Sequence, residues 1–273
     1  MPTTRFAPSP TGHLHLGHAL SAVFAQRASE GGSFLVRIED IDGTRCRPEF
    51  VGSILDDLAW LGLEWQTPVR VQSEHFDDYE RAVALLDGEG LTYPCFCSRS
   101  DIRRATEAPH SGGEQVYPGT CRALEVAERQ DRILSGAPYA IRLDMESARA
   151  RVGTLTWTDR QLGKTTARPG QFGDIVIARK ETPASYHLCV TVDDAIQGVE
   201  LVTRGVDLAE CTHVHRLLRA LLGLPEPEYW HHPLLTDDKG KKLSKRDGDE
   251  TLKAMRREGT TASSILNLLA AWL

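Results

Sequence analysis

Thr4 to Ala7 is a short extended run, and the Pro8-Ser9-Pro10-Thr11-Gly12 segment behind it cannot be helical throughout, because proline lacks an N–H and crowds the preceding turn. Apolar residues then recur at helical spacing from Leu16 to Ala28, with Gly31-Gly32 as the stop. Phe34-Leu35-Val36-Arg37-Ile38 predicts an apolar strand, and Pro48 to Leu61 a second helix closed by Gly62. This strand–helix–strand–helix alternation predicts an α/β fold with a parallel sheet, since parallel neighbours need a crossover. Asp77 to Leu86 predicts a further helix, ended by Gly88 and Gly90.

Beyond Gly90 the texture changes. Residues 91 to 120 are rich in Cys, Gly, Pro, Ser and Arg and predict an irregular, metal-pinned segment. Short strands are expected at Ala140–Leu143, Thr154–Trp157 and Ile175–Ala178, so the middle of the chain reads as an insertion into the first fold. Parallel strands are expected to return at Tyr186–Val192 and Val199–Thr203, followed by a helix from His213 to Leu222. A lysine-rich loop and an apolar helix from Ser263 to Leu273 complete the pattern.

The chain has 273 residues, of which 41% are hydrophobic, enough for a sizeable core. No apolar run reaches a membrane span, and Met1 to Arg5 lack the start of a secretory signal, so a cytoplasmic protein without a membrane partner is expected. With 32 basic and 38 acidic residues the formal net charge is -6, which argues against nonspecific coating of nucleic acid. A local basic face stays open at Arg103-Arg104, at Arg216 with Arg219, at Lys239 through Arg246 and at Arg256-Arg257, though each also reads as an ordinary solvated face. Six cysteines in such a chain do not predict a disulfide framework. Cys46, Cys189 and Cys211 are scattered, whereas Cys95, Cys97 and Cys121 are grouped and fit three corners of a tetrahedral zinc site. General zinc chemistry suggests His110 for the fourth.

Two other features carry chemistry. His15-Leu16-Gly17-His18 opens the first helix, where free N–H groups and the positive dipole end favour phosphate. Two imidazoles there add donors for a polyphosphate, and Gly17 would let a flat base approach; alone, the motif reads equally as two surface histidines. Far along the chain, Lys241-Lys242-Leu243-Ser244-Lys245-Arg246 forms a glycine-preceded loop suited to charge on a phosphate undergoing displacement, or to plain solvation.

Taken together, a strand, the run Pro8-Ser9-Pro10-Thr11-Gly12 to His18, and a K-L-S-K-R loop some two hundred residues on resemble the class I aminoacyl-tRNA synthetases, in their glutamyl branch. Arg5-Phe6-Ala7-Pro8-Ser9, Arg37-Ile38-Glu39-Asp40, Tyr186 and Val202-Thr203-Arg204-Gly205 resemble its amino-acid-site segments. Leu243 and Arg246 depart from the usual methionine and serine of the loop, keeping its apolar anchor and its charge. The resemblance implies a Rossmann-type sheet with a zinc-containing inserted subdomain and a short helical C-terminal segment. Residues 1–90 would be the first half of the catalytic domain, 91–185 the insertion, 186–225 the second half, and 226–273 the lysine loop with the helical end. Because only residues 247–273 follow Arg246, and a chain of this length has a radius of gyration of about 18 Å, the expectation is a protein that grips one end of a tRNA. That resembles a shortened paralogue which activates L-glutamate with ATP, without tRNA, and esterifies it to queuosine in the anticodon of tRNA(Asp). A truncated enzyme charging tRNA 3′ ends and a catalytically silent binding module are the rival readings, the latter disfavoured by undamaged motifs.

The roles then follow from the resemblance and from charge. His15, Gly17, His18, Lys242, Ser244 and Lys245 would hold ATP with Mg²⁺, and His15, His18 and Lys245 would stabilise the reacting phosphate. Glutamate would lie among Arg5, Phe6, Ala7, Pro8, Ser9, Glu39, Tyr186 and Arg204. Glu39 would receive its amino group, and Arg5 or Arg204 its side-chain carboxylate, because arginine's planar fork pairs carboxylates bidentately. Tyr117-Pro118-Gly119-Thr120-Cys121 resembles the paralogue's Y-x-x-x-C, which favours Tyr117 over His110 as the fourth ligand of a structural Zn²⁺ held with Cys95, Cys97 and Cys121. A monomer is expected.

Overall fold

The computed structural model describes residues 1–98, 100–102, 116–179, 182–236 and 250–273. Its centre is a parallel sheet in which β1 (Thr4–Phe6) pairs with β2 (Phe34–Ile38), and β2 with β3 (Gln66–Val71). On the other side of β1 lies β9 (Leu201–Gly205), whose Leu201 N–H donates to the Thr3 carbonyl at 3.1 Å. β10 (Glu228–His232) pairs in parallel with β9, register Trp230 opposite Thr203 and His231 opposite Arg204. Strand order therefore runs outward in both directions from the β1–β9 seam. In an open α/β sheet this is the place where the carboxyl ends of the strands leave a crevice for ligands.

The helix expected from Leu16 to Ala28 is present as α1 with those limits, and α2 spans Pro48–Trp60 and α3 Phe76–Gly88. The middle of the chain contains an antiparallel sheet of β4 (Thr92–Cys95), β5 (Ala140–Leu143) and β8 (Val176–Arg179), with α4 (Val126–Leu134) and α5 (Met145–Val152) beside it. The hairpin of β6 (Thr156–Asp159) and β7 (Gly163–Thr166) leaves that sheet. β6 adds to the central one in parallel with β10, setting Asp159 opposite Tyr229.

One expected strand is a helix. Tyr186–Val192 lies within α6 (Tyr186–Ile196), because Ser185 caps it by accepting from the Leu188 N–H and both helix faces are buried. Its β-branched Val190, Thr191 and Val192 carry strand propensity, which tertiary packing overrides. The strand after it begins later than expected, at Leu201, and the next helix, α7, runs Cys211–Leu221. The terminal helix is shorter than its apolar pattern: α8 (Leu252–Arg257) precedes α9 (Ala262–Leu269), and a 3₁₀ turn covers Ala270–Trp272. Ile265 and Leu269 join the cluster formed by Leu20, Val36, Ile38, Ile54 and Leu58, so the chain end seals the α1/α2 side of the sheet.

Candidate active site

The carboxyl ends of β1 and β9 open into a cavity of about 430 Å³. His15, Gly17 and His18 line one part of it, and Arg5, Phe6, Ala7, Pro8, Ser9, Glu39, Tyr186 and Arg204 also line it. The described residues thus bring together every residue singled out for ATP and glutamate, apart from Lys242, Ser244 and Lys245, which lie outside them. Leu234 and Leu235, before the lysine loop, line the same cavity. After the loop, Thr251 bridges His15 and the Leu252 N–H donates to the Leu14 carbonyl at 2.9 Å. Both flanks of the loop are therefore fastened at the cavity.

At the start of α1 the two histidines cap the helix reciprocally. His15 Nδ1 accepts from the Gly17 N–H at 3.1 Å, and His18 Nδ1 accepts from the His15 N–H at 3.3 Å. In a neutral imidazole the proton then sits on Nε2 of each ring. Gly17 is required by the cap as well: a Cβ there would stand 2.9 Å from His15 Cε1.

Deeper in, Asp194 of α6 organises the site, a residue the sequence reading did not single out. It accepts from Arg5 Nε at 2.9 Å and Arg37 Nη1 at 2.8 Å; Arg37 in turn donates through Nη2 to Glu39 Oε1 at 3.0 Å. Burial opposes charge on Asp194, but Arg5, Arg37 and Arg219 outweigh it and hold the carboxyl well below the ordinary range. Burial pushes Glu39 the other way, against the pull of Arg37 and Arg5. Adjacent Asp193 takes Arg70, Gln72 and Tyr79. The one legible signal was an acidic pair inside the apolar run of residues 188–195.

Arg204 differs from Arg5. Its Nε donates to His231 Nε2 at 3.1 Å, Nη1 to His215 Nδ1 at 3.0 Å and Nη2 to Thr212 Oγ1 at 2.6 Å. Among the described residues no carboxylate lies within ion-pair distance of it, although its exposure is 7%. Its imidazole neighbours are neutral at pH 7. Burial, then the Arg204 charge, lowers His187 and His231 to about 4, and the same causes hold His215 well below its ordinary value. A buried charge costs several kcal/mol to desolvate, and hydrogen bonds to a charged group each return only about 1.5–3 kcal/mol. The guanidinium is held in place by three neutral acceptors, with no counter-charge within ion-pair distance among the described residues.

Cys95, Cys97 and Cys121 converge at the end of β4, their sulfurs within 4.8 Å of one another. Cys97 Sγ is 3.5 Å from Cys121 Sγ and 3.6 Å from the Tyr117 hydroxyl. Tetrahedral thiolates at a Zn–S distance of about 2.3 Å stand about 3.8 Å apart, so the three sulfurs and the phenol oxygen fit such an ion. Burial opposes the Cys121 thiolate, but Tyr117, the Phe96 N–H and the neighbouring thiols hold that thiol below its usual value; burial pushes Cys97 up to about 11. The Arg142 guanidinium lies 3.8 Å over the Tyr117 ring, but burial, then the hydrogen bonds to Cys121 and Cys95, push the phenol well above its usual range, so it holds its proton. His110 lies outside the described residues.

The expected basic faces fare unevenly. Arg219 is buried, facing Asp194 and Pro225, and Arg216 pairs with Glu226 at 3.1 Å, so that pair forms no nucleic-acid face. Arg256 lies against Trp60 and Asp57. Arg103-Arg104 and Lys239–Arg246 are outside the described residues. Among the described residues no helix is long and apolar enough to cross a membrane.

Residues 2–272 match the family of class I tRNA synthetases (E and Q), catalytic domain, and the chain belongs to that family. It is a ligase of the aminoacyl-tRNA synthetase type. Among its relatives, the glutamyl-Q tRNA(Asp) synthetase of Rhodobacter capsulatus is 45% identical, covering 97% of this chain and 99% of that protein. That of Nocardia farcinica is 42% identical over 97% of this chain and 82% of the other. The glutamate–tRNA ligase of Aquifex aeolicus is 38% identical, but the match spans 56% of it. A solved glutamate tRNA ligase from Elizabethkingia meningosepticum, in complex with its amino acid, superposes with a TM-score of 0.82 at 27% identity, covering 98% of this chain and 60% of that one. Within the family, the chain groups with the glutamyl-Q tRNA(Asp) synthetases.

Proposed function

We propose that this ligase activates L-glutamate with ATP in the absence of tRNA and transfers the glutamyl group to queuosine in the anticodon of tRNA(Asp). The observation that carries the glutamate assignment is the buried, un-neutralised Arg204 in a cavity whose wall also holds the Glu39 carboxylate. The side-chain carboxylate of glutamate pairs with Arg204, its amino group meets Glu39, and Arg5, Tyr186 and Ser9 complete the enclosure. A glutamine amide would leave the guanidinium without its counter-charge. The glutamate α-carboxylate oxygen attacks the α-phosphorus of ATP, and pyrophosphate leaves. No protein nucleophile is needed, so the protein contributes position and charge stabilisation. His15 and His18 donate Nε2–H groups to the phosphates at the start of α1, together with Lys242, Ser244 and Lys245 of the loop. Mg²⁺ bound with ATP would neutralise phosphate charge.

Zn²⁺ on Cys95, Cys97, Cys121 and the Tyr117 oxygen would pin β4 to the segment before α4. With four protein ligands it has no open position and serves structure. The protein acts as a monomer in the cytoplasm, where ATP and tRNA are available, and needs no membrane. Support for the queuosine step comes from the relatives' names and from a match that covers 82–99% of their length.

The test uses labelled glutamate, ATP and tRNA from cells with and without queuosine, each also trimmed of the 3′-terminal adenosine. The expected result is label that requires queuosine and survives trimming. Label lost on trimming and indifferent to queuosine would instead make the protein an enzyme that charges tRNA 3′ ends.

A further inference from the structure

We infer that Asp159 is a positioning residue for the substrate-carboxylate cation, acting on Arg204 by fixing the tautomer of His231. The inference deepens the proposed function and rests on the reading that Arg204 receives the glutamate side chain.

A guanidinium only donates, so His231 Nε2, 3.1 Å from Arg204 Nε, must be the bare nitrogen of its ring. The ring proton then belongs on Nδ1, which faces Asp159 Oδ2 at 2.7 Å. Both side chains are fully buried, so solvent substitutes for neither. Asp159 is itself immobilised: Oδ2 also accepts the His231 N–H at 3.1 Å, and Oδ1 accepts the Gln161 and Leu162 N–H groups at 2.8 Å each. The β6–β10 ladder delivers it there, with Asp159 opposite Tyr229 two residues before His231. Thr212 Oγ1, which accepts from Arg204 Nη2, also lies 3.4 Å from His231 Nε2, so the bare nitrogen serves both groups. A metal-bound histidine is oriented by the same device, a carboxylate on the far ring nitrogen; here the group oriented is a cation that binds substrate.

Asn at 159 presents an N–H to Nδ1. The ring proton moves to Nε2, where it opposes the Arg204 N–H, and Arg204 loses an acceptor and its alignment. Asp159→Asn should raise the KM for glutamate in ATP–pyrophosphate exchange about ten- to a hundredfold and leave the KM for ATP within about twofold, which reports an intact fold. His231→Gln presents an amide oxygen near the Nε2 position and has no tautomer to set. In that background D159N should add no more than about twofold. An equal effect of D159N in both backgrounds would mean that Asp159 merely holds the β6–β7 turn, and the inference would fail; so would an unchanged KM in the single variant. If D159N does not fold, ¹⁵N imidazole NMR of the wild-type protein, with His231 assigned from H231Q, decides: Nδ1–H supports the inference and Nε2–H overturns it. Wild-type protein without glutamate-dependent exchange would refute the functional reading instead, and the NMR result would still test the tautomer.

Discussion

At the scale of single residues, the site is governed by where charge is left unpaired. Arg5 and Arg37 are neutralised through Asp194, whereas Arg204 is surrounded by neutral acceptors. Arg204→Gln should therefore raise the KM for glutamate about a hundredfold or more and reduce the preference over glutamine; exchange assays with both amino acids check this, and an unchanged preference would contradict it. Asp194→Asn should weaken glutamate binding by a comparable factor, because it releases Arg5 directly and Glu39 through Arg37. The same cage predicts a pH dependence. His187 and His231 titrate near 4 in the fold against 6.5 ordinarily, because burial and Arg204 disfavour their protonation. Between those values the unfolded chain binds protons that the fold refuses, so stability falls as the pH drops from 6.5 towards 4, by about 1.4 kcal/mol per unit and group at most. Urea unfolding from pH 7.5 to 4.5 should show this decline, and H187Q should make it shallower. Equal slopes in the two proteins would count against the cage.

At the scale of elements, two segments hold the chemistry in place. His15 and His18 cap α1 through their Nδ1 atoms, and the return of Thr251 to His15 fastens the far flank of the lysine loop. Among the described residues, Tyr93, Cys95, Tyr117 and Cys121 form a small buried cluster at β4, with little apolar surface to stabilise the segment alone. Purified protein should contain about one zinc per chain. Tyr117→Phe should lower zinc affinity in competition with a chromogenic chelator, while H110A leaves it unchanged; the reverse outcome would give the fourth position to His110.

At the scale of the whole molecule, the C-terminal helices complete a core shared with α1 and α2. Leu269 is fully buried beside Ile54 and Leu58, so Leu269→Ala should cost about 2–5 kcal/mol in urea unfolding. A loss below about 0.5 kcal/mol, the usual size for a surface site, would mean that α9 docks only loosely. The β1–β9 seam joins residues nearly two hundred positions apart, and the cavity exists only once that seam has formed.

The local elements around the first motif were legible because their causes are local: α1 has its predicted limits, β2 likewise, and His15-Leu16-Gly17-His18 marks a helix start by its own caps. The residue set around the cavity was legible from matched segments, since each segment contributes a contiguous piece of wall. Three things waited for the tertiary structure. Tyr186–Val192 is a helix because burial on both faces outweighs β-branched propensity. The Asp194 hub and the Asp159–His231–Arg204 chain join residues whose pairing depends on strand order, which no local pattern encodes. Which arginine remains un-neutralised was equally out of reach, because a charge is paired or unpaired only by neighbours that folding brings to it.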